Sequence, residues 1–171
     1  MAKRLAFLAV LGLLPVLAMA QQKAGQWDFS LGGGGVSDND VETGSAQISG
    51  LIGYFLSKEL EIGLIQDGVY VDTADGGSGD SAWSMSTSVF AAYHFDFNAI
   101  QLFIGPCIGY GGYGDNEISD EGFIGPRGGI KWYVKPEVYI YGSVVYQRFF
   151  DKSEDGQDGA LQYNVGIGFV F

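Results

Sequence analysis

The chain of 171 residues has one cysteine, Cys107, so no intrachain disulfide can form, and an oxidising compartment is tolerated without being exploited. It has few cations: nine Lys and Arg stand against twenty Asp and Glu, a formal net charge of −11. Phosphate binding requires clustered Lys and Arg, so nucleic acid is excluded as a partner. After residue 20 no apolar run approaches the roughly 20 residues of a membrane-spanning helix. Glycine, by contrast, is abundant at 28 residues, and aromatics make up 15% of the chain.

The amino terminus differs from the rest. Lys3 and Arg4 precede an apolar run from Leu5 to Leu17, and Ala18-Met19-Ala20 forms a small-x-small cleavage site before Gln21. The run is too short to span a bilayer, and no cysteine follows the cut to accept a lipid. The pattern predicts a secretory signal peptide over residues 1–20 and one mature domain over 21–171. Removal of Lys3 and Arg4 would take the formal charge from −11 to −13. Among exported architectures, a β-barrel fits a chain rich in aromatics and glycine, because each strand needs only one apolar face.

Eight segments alternate with a period of two. They run at about 25–36, 44–56, 60–72, 81–95, 99–113, 122–134 and 138–150, followed by the terminal strand. In the fourth, Trp83, Met85, Val89, Ala91, Tyr93 and Phe95 alternate with Ser84, Ser86, Ser88, Phe90, Ala92 and His94. In the last, Leu161, Tyr163, Val165, Ile167, Phe169 and Phe171 alternate with Gln162, Asn164, Gly166 and Gly168, and only Val170 breaks the rule. The facing of the seventh stays open. The expected fold is an all-β, eight-stranded antiparallel transmembrane up-and-down barrel.

The connections alternate as well. Short turns at 57–59, 96–98 and 135–137 are interleaved with longer polar loops at about 37–43, 73–80, 114–121 and 151–159. Short turns inside and long loops outside is the arrangement of outer-membrane barrels, with both termini periplasmic and the loops extracellular. Pro106 and Pro126 fall inside strands and cannot donate to a ladder. They predict bulges, or registers that put each missing donor at an unpaired position.

The fragments Gly53-Tyr54-Phe55-Leu56, Leu60-Glu61-Ile62-Gly63-Leu64, Gly105-Pro106-Cys107-Ile108-Gly109-Tyr110-Gly111 and Gly129-Ile130-Lys131-Trp132-Tyr133-Val134 carry a resemblance. Together they resemble the small outer-membrane β-barrel domain family, which includes proteins similar to the transmembrane domains of OmpA and OmpX. The likeness spans the whole mature chain. Its motifs are architectural, so it implies location and fold and hardly any activity. It also implies that Phe171, with Phe169, serves as the carboxy-terminal signal read by the outer-membrane assembly machinery. The resemblance is to the barrel alone, so a peptidoglycan-binding domain of the kind that full-length OmpA-type proteins carry is not expected.

With the lipid faces assigned from the alternation, Asp28, Glu61, Asp67, Arg127 and Lys131, together with Arg148, fall in the barrel interior. An eight-stranded barrel leaves a lumen that side chains fill. Opposite charges there should pair as a structural plug, with a gated pore as the alternative. Inward glycines, among them Gly53, Gly63, Gly109 and Gly129, would make room for Phe90, Phe103 and Tyr133. Aromatics near the strand ends, including Trp27, Tyr139, Phe149 and Phe150, would form interfacial girdles.

The loops hold 14 of the 20 acidic residues. Such carboxylates suit hard divalent cations, and Asp151-x-Ser153-x-Asp155-Gly156 opens like an EF-hand loop, with Asp158 close by. Gln162 stands where that motif needs a bidentate Glu, so Asp151, Ser153, Asp155 and Asp158 are weak metal candidates. Cations bridging the loops to lipopolysaccharide, or host and surface ligands, are further partner readings.

Catalysis finds little material. The one histidine, His94, lies beside the short turn at 96–98, up to about ten residues from Ser84, Ser86 and Ser88, too far for a nucleophile and base. Cys107 reads as a small packing residue. The sequence therefore predicts a non-enzymatic surface or envelope-integrity protein without cofactors. A narrow channel for small solutes is the alternative, and a lipid-modifying enzyme a distant second.

Overall fold

The computed structural model describes residues 22–38, 44–72, 81–111, 122–150 and 159–171. The alternating segments form eight antiparallel strands that close into one barrel in sequence order. They are β1 (Trp27–Asp38), β2 (Gly44–Phe55), β3 (Leu60–Asp72), β4 (Ser81–Phe97), β5 (Ile100–Gly111), β6 (Gly122–Lys135), β7 (Val138–Phe149) and β8 (Gly159–Val170). Closure comes from β1 against β8, where Phe29 lies opposite Phe169 and Gly32 opposite Gly166. Trp27 and Phe171 extend this ladder by exchanging both backbone hydrogen bonds, at 2.8 and 3.0 Å. The ring of Phe171 stacks on Phe29 with centroids 5.5 Å apart.

Side-chain chemistry makes the short connections tight. Ser57 Oγ accepts the backbone N–H groups of Glu59 and Leu60 at 3.2 and 3.0 Å. At the β4–β5 turn Asn98 adopts φ 66°, and its N–H donates to Asp96 Oδ1 at 2.9 Å. This turn falls later than the spacing predicts, because β4 runs on through Phe97. Pro136 and Glu137 make the third turn. The end of the barrel bearing these three turns is the turn end, and the other is the loop end. Residues preceding β1 fold across the turn end, where Gly25, at φ +90°, donates its N–H to Phe55 O at 2.8 Å.

The two prolines keep register rather than create bulges. Pro106 and Pro126 lie directly opposite each other between β5 and β6. Pairing of β4 with β5 lapses between Phe90/Cys107 and Tyr93/Ile104, and that of β6 with β7 lapses between Ile124/Arg148 and Arg127/Val145. Register is the same on either side of each gap, so the ladder skips the missing donors without an inserted residue. Glycine precedes each proline for a steric reason. A Cβ on Gly105 would lie 1.8 Å from the Ala91 carbonyl oxygen, and one on Gly125 would lie 1.6 Å from that of Tyr146.

The two faces of the wall are opposite in character. Outside, large apolar residues are exposed, such as Leu31 at 67%, Ile48 at 66% and Val165 at 65%. Inside, Asp28, Glu61, Lys131 and Arg127 are buried among aromatic rings. Val170 breaks the alternation of β8 because it points inward, in a cluster with Phe55, Tyr133, Tyr139 and Tyr141. The facing of β7 resolves the same way: Tyr139, Tyr141, Ser143, Val145 and Gln147 are buried.

Glycines make the filled lumen possible. Phe90 lies opposite Gly63, Phe103 opposite Gly129, Phe123 opposite Gly109, Tyr139 opposite Gly168 and Tyr141 opposite Gly166. In each pair the ring reaches within 2.1 to 2.8 Å of the position a glycine Cβ would take. Each ring thus covers the bare backbone of its cross-strand neighbour, as aromatic residues do for strand glycines. The expected space-making role holds for Gly63 with Phe90 and for Gly129 with Phe103.

Candidate functional site: the charged lumen

The alternation that sends apolar residues outward leaves the ionisable ones on the inner face, and closure brings four strands of them together near the turn end. Lys131 of β6 donates to Asp28 Oδ2 of β1 at 2.5 Å and to Glu61 Oε2 of β3 at 3.1 Å. Its ammonium also lies over the rings of Tyr139, Phe55 and Phe103 at 4.9 to 5.7 Å. Tyr139 OH donates to the second oxygen of Asp28 at 2.5 Å. Asp28 and Glu61 are 0% exposed, so these contacts stand in for water at both oxygens of Asp28 and at Glu61 Oε2, while Glu61 Oε1 is buried without a hydrogen-bond partner among the described residues. Gly53 makes the space for one carboxylate, since a Cβ there would meet Glu61 Oε1 at 2.0 Å.

His94 belongs to the same cluster. Nε2 lies 2.8 Å from Glu61 Oε2 and Nδ1 lies 2.8 Å from Gln101 Oε1. Gln101 is joined in turn to Gln22, which also donates to Tyr133 OH. Gln22, ahead of the first strand, thus seals the turn end of the lumen with an amide.

A second polar layer lies toward the loop end. Asp67 accepts from Gln47 Nε2 at 2.8 Å and is hydrogen-bonded by Ser49 and Gln162. Gln147 donates to Gln162 at 2.8 Å. Arg127 has no carboxylate within 4.0 Å among the described residues. Its guanidinium lies between the rings of Phe103 and Phe90, at 4.5 and 4.8 Å from their centroids. The cavity between these groups measures about 10 Å³, room for one water at most. Larger grooves lie on the apolar outer wall, beside Gly50 and beside Trp27 and Tyr54.

Of the six residues expected inside, the structure brings Asp28, Glu61 and Lys131 into one ion cluster. Asp67 and Arg127 are inside but not directly paired. Arg148 is a correction. It lies on the outward face of β7, opposite Ile124 and Gly159, because the buried parity runs through Tyr139, Tyr141, Ser143, Val145 and Gln147. Two girdle assignments change for the same reason: Tyr139 lies in the lumen, and Phe149 packs against the interior cluster, whereas Phe150 is exposed. The alternation misses the parts played by His94, Gln101, Tyr133, Tyr139 and Gln22. The parity His94 shares with Ser84 and Ser88 is the signal that finds it; Gln22 lies before any periodic segment and carries none.

Cys107 is buried beside Arg127 and Asp67 in the interior. Among the described residues, no group of three or more His, Cys, Asp or Glu could hold a metal. Asp151, Ser153, Asp155 and Asp158 lie outside the described residues.

No protein-family model and no curated protein matches the chain. Solved structures do. The outer membrane protein OprG from Pseudomonas aeruginosa is 14% identical, with a TM-score of 0.64 over 90% of this chain and 99% of that one. Neisserial surface protein A is also 14% identical, with a TM-score of 0.66 over 88% of this chain and all of that one. The attachment invasion locus protein Ail of Yersinia pestis, solved with the heparin analogue sucrose octasulfate, is 17% identical, with a TM-score of 0.55 over 86% and 99%. The chain therefore has the fold of the small eight-stranded outer-membrane barrels.

Proposed function

We propose that this chain is an integral outer-membrane barrel, exported by the segment 1–20, whose lumen is closed by its own side chains and whose acidic loops act at the cell surface without catalysis. One observation carries the reading: the wall is inverted relative to a soluble protein, with exposed Leu, Ile, Val and aromatic side chains outside and buried ions inside. A continuous exposed apolar band has no stable place in water. The outer-membrane barrels that share the fold support the location.

Closure of the lumen rests on the rings laid over glycines and on the Asp28–Lys131–Glu61 cluster, with about 10 Å³ left within the polar layer around Asp67 and Arg127. Long loops face the exterior and both termini the periplasm in this reading. Phe171 and Phe169 offer the assembly machinery its signal. Loops carrying most of the acidic residues disfavour a sulfated polyanion of the kind bound to Ail and favour divalent cations, which would bridge carboxylates to lipopolysaccharide phosphates.

Reconstitution into planar bilayers tests closure. The expected result is no unitary conductance from protein whose heat-modifiable gel mobility proves that it is folded. Steady single-channel currents would replace closure with the narrow-channel reading. Deleting the four loops one at a time, with surface adhesion and detergent sensitivity as readouts, tests the surface role. If all four deletions leave both unchanged, the role lies elsewhere.

A further inference from the structure

His94 is the only histidine of the chain, and both of its ring nitrogens face oxygens that accept hydrogen bonds, Glu61 Oε2 and Gln101 Oε1, each at 2.8 Å. A neutral imidazole has one N–H and one lone pair, so it can satisfy only one of them. Gln101 cannot adapt alone. Its amide pairs head to tail with that of Gln22: Gln22 Nε2 donates to Gln101 Oε1 at 2.9 Å, and Gln101 Nε2 donates back to Gln22 Oε1. Turning the Gln101 amide over would set nitrogen against nitrogen unless Gln22 turned with it. Tyr133 OH, the next partner of Gln22, can then change from acceptor to donor.

Two arrangements therefore satisfy the whole chain of bonds, one for each protonation state. With an imidazolium, both ring N–H groups donate, to Glu61 and to Gln101 Oε1. With a neutral ring, Nε2–H donates to Glu61, both amides are reversed, and Gln101 Nε2 donates to Nδ1. We propose that His94, Gln101 and Gln22 form a proton-reading relay, in which a proton taken up at Nδ1 sets the polarity of the amide clasp that seals the turn end of the barrel.

The surroundings fit both states. Glu61 of β3 and Asp28 of β1 face the ring's cluster, as do Lys131, Arg127 and Tyr133 of β6 and Tyr139 of β7. β5 presents Gln101 and Phe103, and β2 presents Phe55. An imidazolium makes three cations against Asp28, Glu61 and Asp67 in the lumen; a neutral ring leaves one negative charge over. A cavity of about 330 Å³ at the turn end, lined in part by His94, Gln22, Lys58, Glu59 and Asp96, gives solvent protons a route to the ring. Charge assistance should tighten the clasp when His94 is charged, because an amide oxygen that accepts from a cation polarises its own N–H donors.

Nitrogen-15 NMR of the folded protein in detergent micelles tests the relay, since one histidine gives one imidazole pattern. Over the pH range in which the barrel stays folded, the ring signals should pass from the imidazolium pattern to the Nε2–H tautomer. The side-chain amide signals of Gln22 and Gln101 should move with the same midpoint. Gln22→Leu removes a relay member and no ionic group, and should shift that midpoint by about half a pH unit or more, roughly threefold in proton affinity. Amide signals that stay fixed while the ring titrates, an unchanged midpoint in Gln22→Leu, or a ring that keeps one pattern throughout would each overturn the proposal.

Discussion

At the scale of single residues, Lys131 holds the interior together, because it is the direct partner of two fully buried carboxylates. Lys131→Met should cost about 3 to 5 kcal/mol of unfolding free energy, since it strands the buried Asp28 without a cation and leaves Glu61 only His94. Combining it with Asp28→Asn and Glu61→Gln should recover most of that loss. Urea unfolding in micelles measures both, and an unaltered midpoint in the single variant would remove the cluster from any structural role. Glycines divide into two kinds at this scale. Gly105→Ala and Gly125→Ala drive a methyl group into a neighbouring carbonyl and should each cost about 1 to 3 kcal/mol. Gly50→Ala and Gly68→Ala, on the outer face, meet nothing closer than 3.7 Å and should be tolerated. The same unfolding assay separates the two classes. Asp28, Glu61 and Lys131 were legible as interior because large apolar residues flank each on both sides; Asp67, between Gln66 and Gly68, and Arg127, between Pro126 and Gly128, were legible only from the parity of the rest of their strands. Arg148 was not. Val144 and Val145 stand side by side in β7, and an inward Tyr139 is indistinguishable by type from a girdle residue.

At the scale of elements, the eight strands and their order were legible because period two and alternating short and long connections are both written in residue type. Strand ends were less so: β4 extends to Phe97 because the turn is set by Asn98 at positive φ and by its bond to Asp96, details of backbone geometry. The seam between β1 and β8 joins the most distant segments of the sequence. It therefore carries the largest loop-closure cost and depends on contacts such as the Phe29–Phe171 stack. Phe171→Ala should slow insertion into lipid vesicles more than it lowers the stability of the finished barrel. Refolding rates and unfolding midpoints taken together decide this. A loss of about 0.5 to 1.5 kcal/mol in stability with unchanged refolding would assign the ring to packing alone.

At the scale of the whole molecule, the inversion of polar and apolar faces makes the chain dependent on its surroundings twice: once when folded, for a medium that covers the wall, and once beforehand. Before folding, β5 and β6 expose a row of large apolar residues that the barrel turns outward, Ile100, Leu102, Ile104, Ile108, Ile124 and Ile130. An extended chain with such segments is a template for self-pairing into aggregates. The facing prolines sit in the middle of both. In the barrel, Pro106 and Pro126 only interrupt two ladders; in the unfolded chain, each splits an apolar strand into halves too short and too poor in donors to nucleate cross-β stacking. Replacing both with valine should raise light scattering when unfolded protein is diluted from urea without lipid or detergent. Equal scattering from both chains would reduce the prolines to a local accident of the wall. On this reading, the Gly-Pro steps act before the structure that contains them exists, as gatekeepers of the chain in transit.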